Sequence, residues 1–341
     1  MKRLLIARLG SPNLIAFLIM ALGLAAAPVF IDNNYIITVL TIIALFTMLT
    51  IGLSLLMGYA GQISLGQATF FGIGAYSMAI FSTRLGLSPW LSLLAGMILA
   101  GGVAYLLGML IFRLHGHYLA MATLGMNIIL YLILTQQVDW TGGPSGFRGV
   151  PDLSIGGMTL STDTHYYYLI WFFALITIAL SLNIVNSRVG RAMRALHSSE
   201  IAAETLGIDT GRFKLQVFAL SAAYSALAGG LYASFLGFIS PSSFTINASI
   251  KIVLMAVVGG LSSIWGATFG AAAILVIEQW LRTAIKSLVP GASGEQEIIA
   301  FGLILMLIMI FMPEGLVTGA GKALRARIAR RKPERAQPAG G

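Results

Sequence analysis

Ser187 to Lys214 reads SRVGRAMRALHSSEIAAETLGIDTGRFK, the only extended charged stretch in a chain of 341 residues, and a long apolar segment stands on each side of it. A charged island between apolar runs predicts a polytopic membrane protein with a polar loop at this position. Val189, Ala192, Met193 and Leu196 fall at helical spacing on one face, and Arg188, Arg191 and Arg194 form a second row. Glu200 to Gly207 makes a second compact segment, with Ala202, Ala203 and Leu206 as a small apolar face and Gly207 suited to a helical C-cap. The spacing therefore predicts two short helical pieces around a polar turn. Two readings of the loop stand at this level: a positive loop that only sets topology, and a small helical handle for a groove on a soluble partner.

Composition bounds the rest of the chain. Hydrophobic residues make up 57%, charged residues only 10%, glycine 39 positions, and mean hydropathy is +0.89. One soluble core cannot hide that much apolar surface, so the bilayer must be the solvent. The net charge of +9 is distributed beside spans rather than in a nucleic-acid patch: Lys322, Arg325, Arg327, Arg330, Arg331, Lys332 and Arg335 all follow the last apolar run. Basic residues in such places report orientation. With no cysteine, neither a disulfide nor a thiolate site exists in the chain.

A bilayer core takes about 20 apolar residues as helix. Ten spans are expected, near 12–30, 35–57, 66–83, 89–112, 118–136, 166–186, 214–239, 248–261, 264–284 and 296–312, the eighth short and the third beginning among glycines. The first is expected to be retained rather than cleaved as a signal peptide. Starting inside, this arrangement puts the 187–213 loop and a basic, disordered tail (317–341) in the cytoplasm, and Asp32, Asp139, Asp152 and Asp163 outside. Both termini are then cytoplasmic. Residues 1–316 form a single membrane domain.

Two glycine-rich stretches interrupt the apolar pattern: Gly58 to Ala75, GYAGQISLGQATFFGIGA, and Gly259 to Gly270, GGLSSIWGATFG. The first carries Gln62, Ser64, Gln67 and Thr69 into a membrane context, and both contain Ala-Thr-Phe, a slight hint of an internal repeat. Close helix packing and an unwound wall around a pathway both explain such stretches. On the second reading Gly61, Gln62, Ser64, Gly66, Gln67, Thr123, Gly259 and Gly260 are the candidate pathway residues.

Chemistry of its own is not expected from this chain. His115 and His117 lack a nearby carboxylate or thiol to complete a metal site. GLVTGAGKA (315–323) has Leu316 and Ala323 where a phosphate loop needs Gly and Ser or Thr. Lys251, Glu278 and Arg282 are the ionisable groups within apolar segments, placed near helix ends where they can snorkel, the last two pairing at i, i+4. Ion-coupled transport is therefore the weaker expectation, and a passive channel or secondary carrier remains the alternative of a different class.

The chain resembles the inner-membrane permeases of the branched-chain amino-acid, or LivM-type, family. The resemblance is carried by GYAGQISLGQATFFGIGAY (58–76), YLAMATLG (118–125), TGGPSGFRGVP (141–151), GRAMRAL (190–196), EIAAETLGID (200–209), SALAGGLYA (225–233), VVGGLSSIWGATFGA (257–271) and FMPEGL (311–316). The blocks stand in family order from about 35 to 316. Departures are Ser262 where glycine is expected and His197 at a position often basic or aliphatic. The Glu-Ala-Ala, three residues, Gly pattern of ATP-binding-cassette importers is matched by Ala202, Ala203 and Gly207, with Ile201 at the Glu position and Glu200 displaced by one.

The resemblance implies an all-α permease bundle of about ten helices, some broken or short, in the bacterial inner membrane. It implies translocation of branched-chain amino acids, with urea, short amides or other amino acids as the alternative cargo. Its partners would be a second, LivH-type permease, two cytoplasmic ATPases that carry the ATP and Mg, and a soluble extracytoplasmic binding protein; lipid is expected around it and nucleic acid is not. Gly190, Arg191, Arg194, Glu200, Ala202, Ala203 and Gly207 would form the ATPase-coupling loop. Thr141, Gly142, Gly143 and Phe147 would meet the binding protein.

Overall fold

The computed structural model describes residues 11–31, 33–114, 116–155 and 158–288, together with 302, 303, 306 and 310. The tail (317–341), His115 and the side chain of Arg282 lie outside the described residues, and of the tenth expected span only Gly302, Leu303, Met306 and Ile310 are described, all helical.

Among the described residues the bundle is built from α1 (Ser11–Phe30), α2 (Asn34–Leu53), α3 (Gln67–Thr83), α4 (Pro89–Ile111), α5 (His117–Gln136), the single turn α6 (Val138–Thr141) and α7 (Asp163–Val185). Two short helices follow, α8 (Arg188–Ser198) and α9 (Glu200–Thr205), then α10 (Thr210–Leu236), α11 (Ile246–Gly259) and α12 (Ile264–Leu288). Each of the first nine expected spans has its helix within a few residues. Seven of the described helices are long and apolar enough to cross a membrane, whereas α3 has 17 residues and α11 has 14.

The packing inverts the soluble pattern. On α4, Ser92, Gly96, Ala100, Ala104 and Gly108 recur every fourth residue and are buried, while Leu94, Ile98, Leu99 and Leu106 of the same helix are exposed. Small residues let backbones approach, and lipid tails solvate leucine as well as a core would. The centre is α10, which lies against α2, α3, α4 and α7. At its crossing with α3, a Cβ on Gly229 would stand 2.0 Å from the Phe71 carbonyl oxygen, and one on Gly74 would stand 2.1 Å from that of Ala226. By contrast α1 is peripheral; Tyr167 and Tyr168 of α7 donate hydroxyl hydrogen bonds to the carbonyls of Leu24 and Ala25, at 2.7 and 3.2 Å.

Two features differ from expectation. The polar loop ends earlier, since α10 begins at Thr210, where the Asp209 carboxylate accepts from the Arg212 amide at 3.0 Å and starts the helix. Glu278 of α12 forms an ion pair with Lys251 of α11, a partner on the neighbouring helix that sequence spacing does not indicate.

At the end of the bundle away from α8 and α9, β1 (Phe147–Arg148) pairs antiparallel with β4 (Phe238–Ile239), and β2 (Ser154–Ile155) pairs with β3 (Met158–Thr159). The 23 residues of α7 separate this cap from α8, about 35 Å at 1.5 Å per residue.

Candidate functional site

The charged stretch folds as a corner of two capped helices. Ser187 caps α8 by accepting from the Val189 amide at 3.1 Å, and Ser199 caps α9 by accepting from Ala202 at 3.2 Å. The buried face of α8 is Gly190, Met193 and Leu196: Met193 and Leu196 lie on it as expected, Ala192 is half-buried, and Gly190 takes the place of Val189, which is exposed. Its cause is the seat of α8: a Cβ on Gly190 would lie 2.1 Å from the Val185 carbonyl oxygen at the end of α7. Arg194 donates to that same carbonyl at 3.0 Å, satisfying a helix end with a cation where the dipole favours one. Arg191 remains exposed.

In α9, Ala203 is buried against the bundle while Ile201 and Leu206 are 77% and 78% exposed. The apolar surface on offer is therefore Ile201, Ala202 and Leu206, not Ala202, Ala203 and Leu206. Gly207, at φ +78°, ends the helix as a Schellman motif, its amide donating to the Glu204 carbonyl at 2.9 Å and that of Ile208 to Ala203 at 3.1 Å. Glu200 is turned inward and pairs with Lys214 of α10, whose side chain is 4% exposed. The Glu204 carboxylate accepts from the Thr210 hydroxyl at 2.6 Å. Both ties fix α9 to the first turn of α10.

The corner touches a broken helix. Beyond Leu53, α2 widens into a π-helical turn, Ser54–Tyr59, and the chain then runs non-helical until α3 begins at Gln67. Such a break leaves amides to be satisfied by side chains. The Leu65 amide donates to Thr123 Oγ1 of α5 at 3.0 Å, and the Ala68 amide to Ser249 Oγ of α11 at 3.0 Å. A Cβ on Gly66 would stand 2.8 Å from the Thr123 carbonyl oxygen, and one on Gly61 would stand 3.0 Å from His197 Nδ1 of α8. The unwound segment thus bridges α8 at one end and the interior of the bundle at the other.

Expected pathway residues divide into four places. Gly61 and Gln62, with their neighbour Ile63, have surface open on the segment, while Ser64 and Gly66 are buried beside Thr123. Gln67 is fully enclosed, donating to Ser221 Oγ at 3.1 Å and Ser225 Oγ at 2.5 Å, so it locks α3 to α10. Asn127 completes this buried polar group by donating to Thr69 and to the Phe244 carbonyl. Gly259 and Gly260 close the hairpin between α11 and α12, whose turn lies against Gly58 of the π-helical turn. Ser221, Ser225, Ser249 and Asn127 are not legible as site residues in the sequence, because isolated serines and one amide carry no spacing signal.

At the opposite end, Thr141 and Gly143 are buried and Phe147 is half-buried. Thr141 donates to the Leu134 and Gln137 carbonyls, both at 2.7 Å, and accepts from Gly143 at 3.2 Å, while Gly142 takes φ +78°. These residues brace the cap. The exposed surface they hold up is Trp140, Pro144, Ser145 and Arg148, the last stacked on Phe238 at 5.5 Å.

Apolar spans, a helix broken at a polar tether, and a short helical handle tied to that break describe a polytopic membrane protein. Residues 35–313 match the family described as the permease component of the branched-chain amino acid transport system, and the chain belongs to that family. It is 30% identical over 343 residues to the high-affinity branched-chain amino acid transport system permease protein LivM of Escherichia coli K12, covering 94% of this chain and 79% of that one. To LivM of Salmonella typhimurium LT2 the identity is 31%, with the same coverage. To the permease protein LivH of that organism it is 30%, covering 80% of this chain and 91% of the relative. No solved structure gives a significant match.

Proposed function

We propose that this chain is the translocation subunit of an ATP-binding-cassette importer that carries branched-chain amino acids across the bacterial inner membrane, with the α8–α9 corner facing the cytoplasm. It pairs with a second, LivH-like permease, is driven by two ATPase subunits that hold the ATP and Mg, and receives cargo from a soluble binding protein at the β1–β4 end. Both termini lie on the cytoplasmic side, and the basic tail follows them there. Arg191 and the open part of the unwound segment, Gly61 and Gln62, belong to the working surface of this reading.

The observation that carries it is the pair Ile201 and Leu206, exposed on a helix that stands outside the apolar spans and is anchored on its other side. Two large apolar side chains held rigidly in water mark a protein contact. Closure of the ATPases would pull α9, carry α8 with it, and move His197 against Gly61, shifting the unwound segment and its tether at Thr123. Through Gly190 and Arg194 the same motion reaches α7.

Replacing Ile201 and Leu206 together by Glu is expected to remove about 3–4 kcal/mol of apolar contact and weaken ATPase binding at least ~100-fold. Insertion and folding of the permease should not change, because both side chains already face water. Co-purification with the ATPase subunits checks this; full retention of the ATPases by the double variant would sink the interface.

A further inference from the structure

The ion pair between Lys251 of α11 and Glu278 of α12 stands where charge is costly for a membrane protein. Lys251 Nζ lies 5.3 Å from the ring centroid of Phe46. Phe46 is midway along the span Asn34–Tyr59, about 18–20 Å from either end at 1.5 Å per residue. A lysine stem cannot reach the headgroups of a ~30 Å hydrocarbon core from there. The two side chains keep 23% and 31% of their surface exposed among the described residues, while Glu278 Oε2 itself is buried. A charge pair at this depth needs water in a pathway or further protein around it rather than hydrocarbon alone.

The pair opens on a cleft of about 200 Å³ whose other walls are Val39, Ile42 and Phe46 of α2 and Leu275 and Gln279 of α12. At ~30 Å³ per water this holds a solute of amino-acid size. A carboxylate and an ammonium side by side, next to an aliphatic and aromatic wall, are complementary to a zwitterion with a branched side chain. We propose that the face formed by α2, α11 and α12 is closed by the second permease chain, and that Lys251 and Glu278 are a transient site for the cargo there. Lys251 takes the α-carboxylate, Glu278 takes the α-ammonium, and the side chain lies on Phe46 and Ile42. The cargo replaces one charge partner by another, so neither group is left bare in the membrane. This inference rests on the importer reading above and names the residues that meet its cargo.

The test uses the complete transporter, both permeases with ATPases and binding protein, in proteoliposomes. Lys251→Met with Glu278→Leu removes both charge-assisted contacts to the cargo and is expected to lower leucine uptake at least ~10-fold, with assembly and the dependence of uptake on binding-protein concentration intact. Lys251→Arg should retain uptake. Because the chain has no cysteine, Gln279→Cys reads the cleft directly when cysteines of the partner chains are removed: a charged, water-soluble thiol reagent should label it, and leucine should slow the labelling. Unchanged uptake in the double variant, or a Gln279→Cys variant inert to the aqueous reagent, overturns the proposal. Absence of ATP-dependent leucine uptake in the wild-type complex would instead overturn the importer reading itself.

Discussion

Gly229→Leu is expected to leave almost no correctly folded permease in the membrane. A Cβ at this position would stand 2.0 Å from the Phe71 carbonyl oxygen and 2.9 Å from the Ala75 amide nitrogen. Both obstacles are backbone, so no side chain can swing aside. The reciprocal contact, Gly74 on Ala226, means that α3 and α10 must move apart along their whole crossing. Separation also opens the hydrogen bonds of Gln67 to Ser221 and Ser225, leaving an amide without partners in a medium that offers none. Overpacking alone costs about 3 kcal/mol or more when the backbone is the obstacle, and total stabilities are commonly only ~5–15 kcal/mol. Gly23→Leu is the control: no atom lies within 4 Å of a Cβ there. Yield and monodispersity in detergent check the pair, with collapse expected for the first variant and wild-type behaviour for the second.

Lys214→Met comes next in size and acts on coupling rather than on the fold. The Lys214 side chain is 4% exposed and that of Glu200 is 31% exposed, so the variant leaves a carboxylate partly in water with its partner gone. Removing one member of a fully buried pair costs about 3–5 kcal/mol; with Glu200 partly solvated the expected loss is about 1–3 kcal/mol. That energy holds α9 to the first turn of α10, so α9 should loosen while the spans stay packed. Amide exchange in 200–207 is expected to rise by at least ~10-fold, the equivalent of about 1.4 kcal/mol, and uptake should fall while ATP hydrolysis continues. Adding Glu200→Gln should restore much of the protection, because the stranded charge is then absent. Unaltered exchange in the single variant would contradict the anchoring role given to this pair.

Much of this architecture is legible in the sequence because membrane spans are set by length and hydropathy alone. The helices that match the first nine expected spans do so within a few residues, and Gly207 announces its C-cap because a left-handed residue there favours glycine. Packing is less legible. The stripe of Ser92, Gly96, Ala100, Ala104 and Gly108 can be seen only once its partner α10 is known, since small residues at spacing four serve any bundle. Periodicity finds Met193 and Leu196 on the buried face of α8 but puts Val189 there instead of Gly190, because it cannot anticipate that a residue with no side chain is the point of closest approach to Val185. Gln67 stands out as an amide in hydrocarbon, yet its partners, Ser221 and Ser225, are 154 and 158 residues away in the chain. Lys251 and Glu278 read as interfacial because each lies near a helix end in sequence. Their depth follows from Phe46 of α2, a neighbour that no local pattern reveals.

The β1–β4 cap shows the same limit from another side. Thr141 and Gly143 carry a recognisable motif, but their side chain and backbone are engaged in bracing the turn, and the surface is left to Pro144, Ser145 and Arg148. A motif can mark a scaffold whose exposed residues do the contacting.

The most direct test of ATP-driven coupling through α8 and α9 is leucine uptake by the reconstituted complex, wild type beside Ile201→Glu/Leu206→Glu, with ATP and with an ion gradient as separate energy sources. Uptake that requires both ATP and the binding protein, and that is lost in the double variant while the permeases remain assembled, is the expected result. Uptake on a gradient alone, or undiminished ATP-driven uptake in the variant, would contradict it.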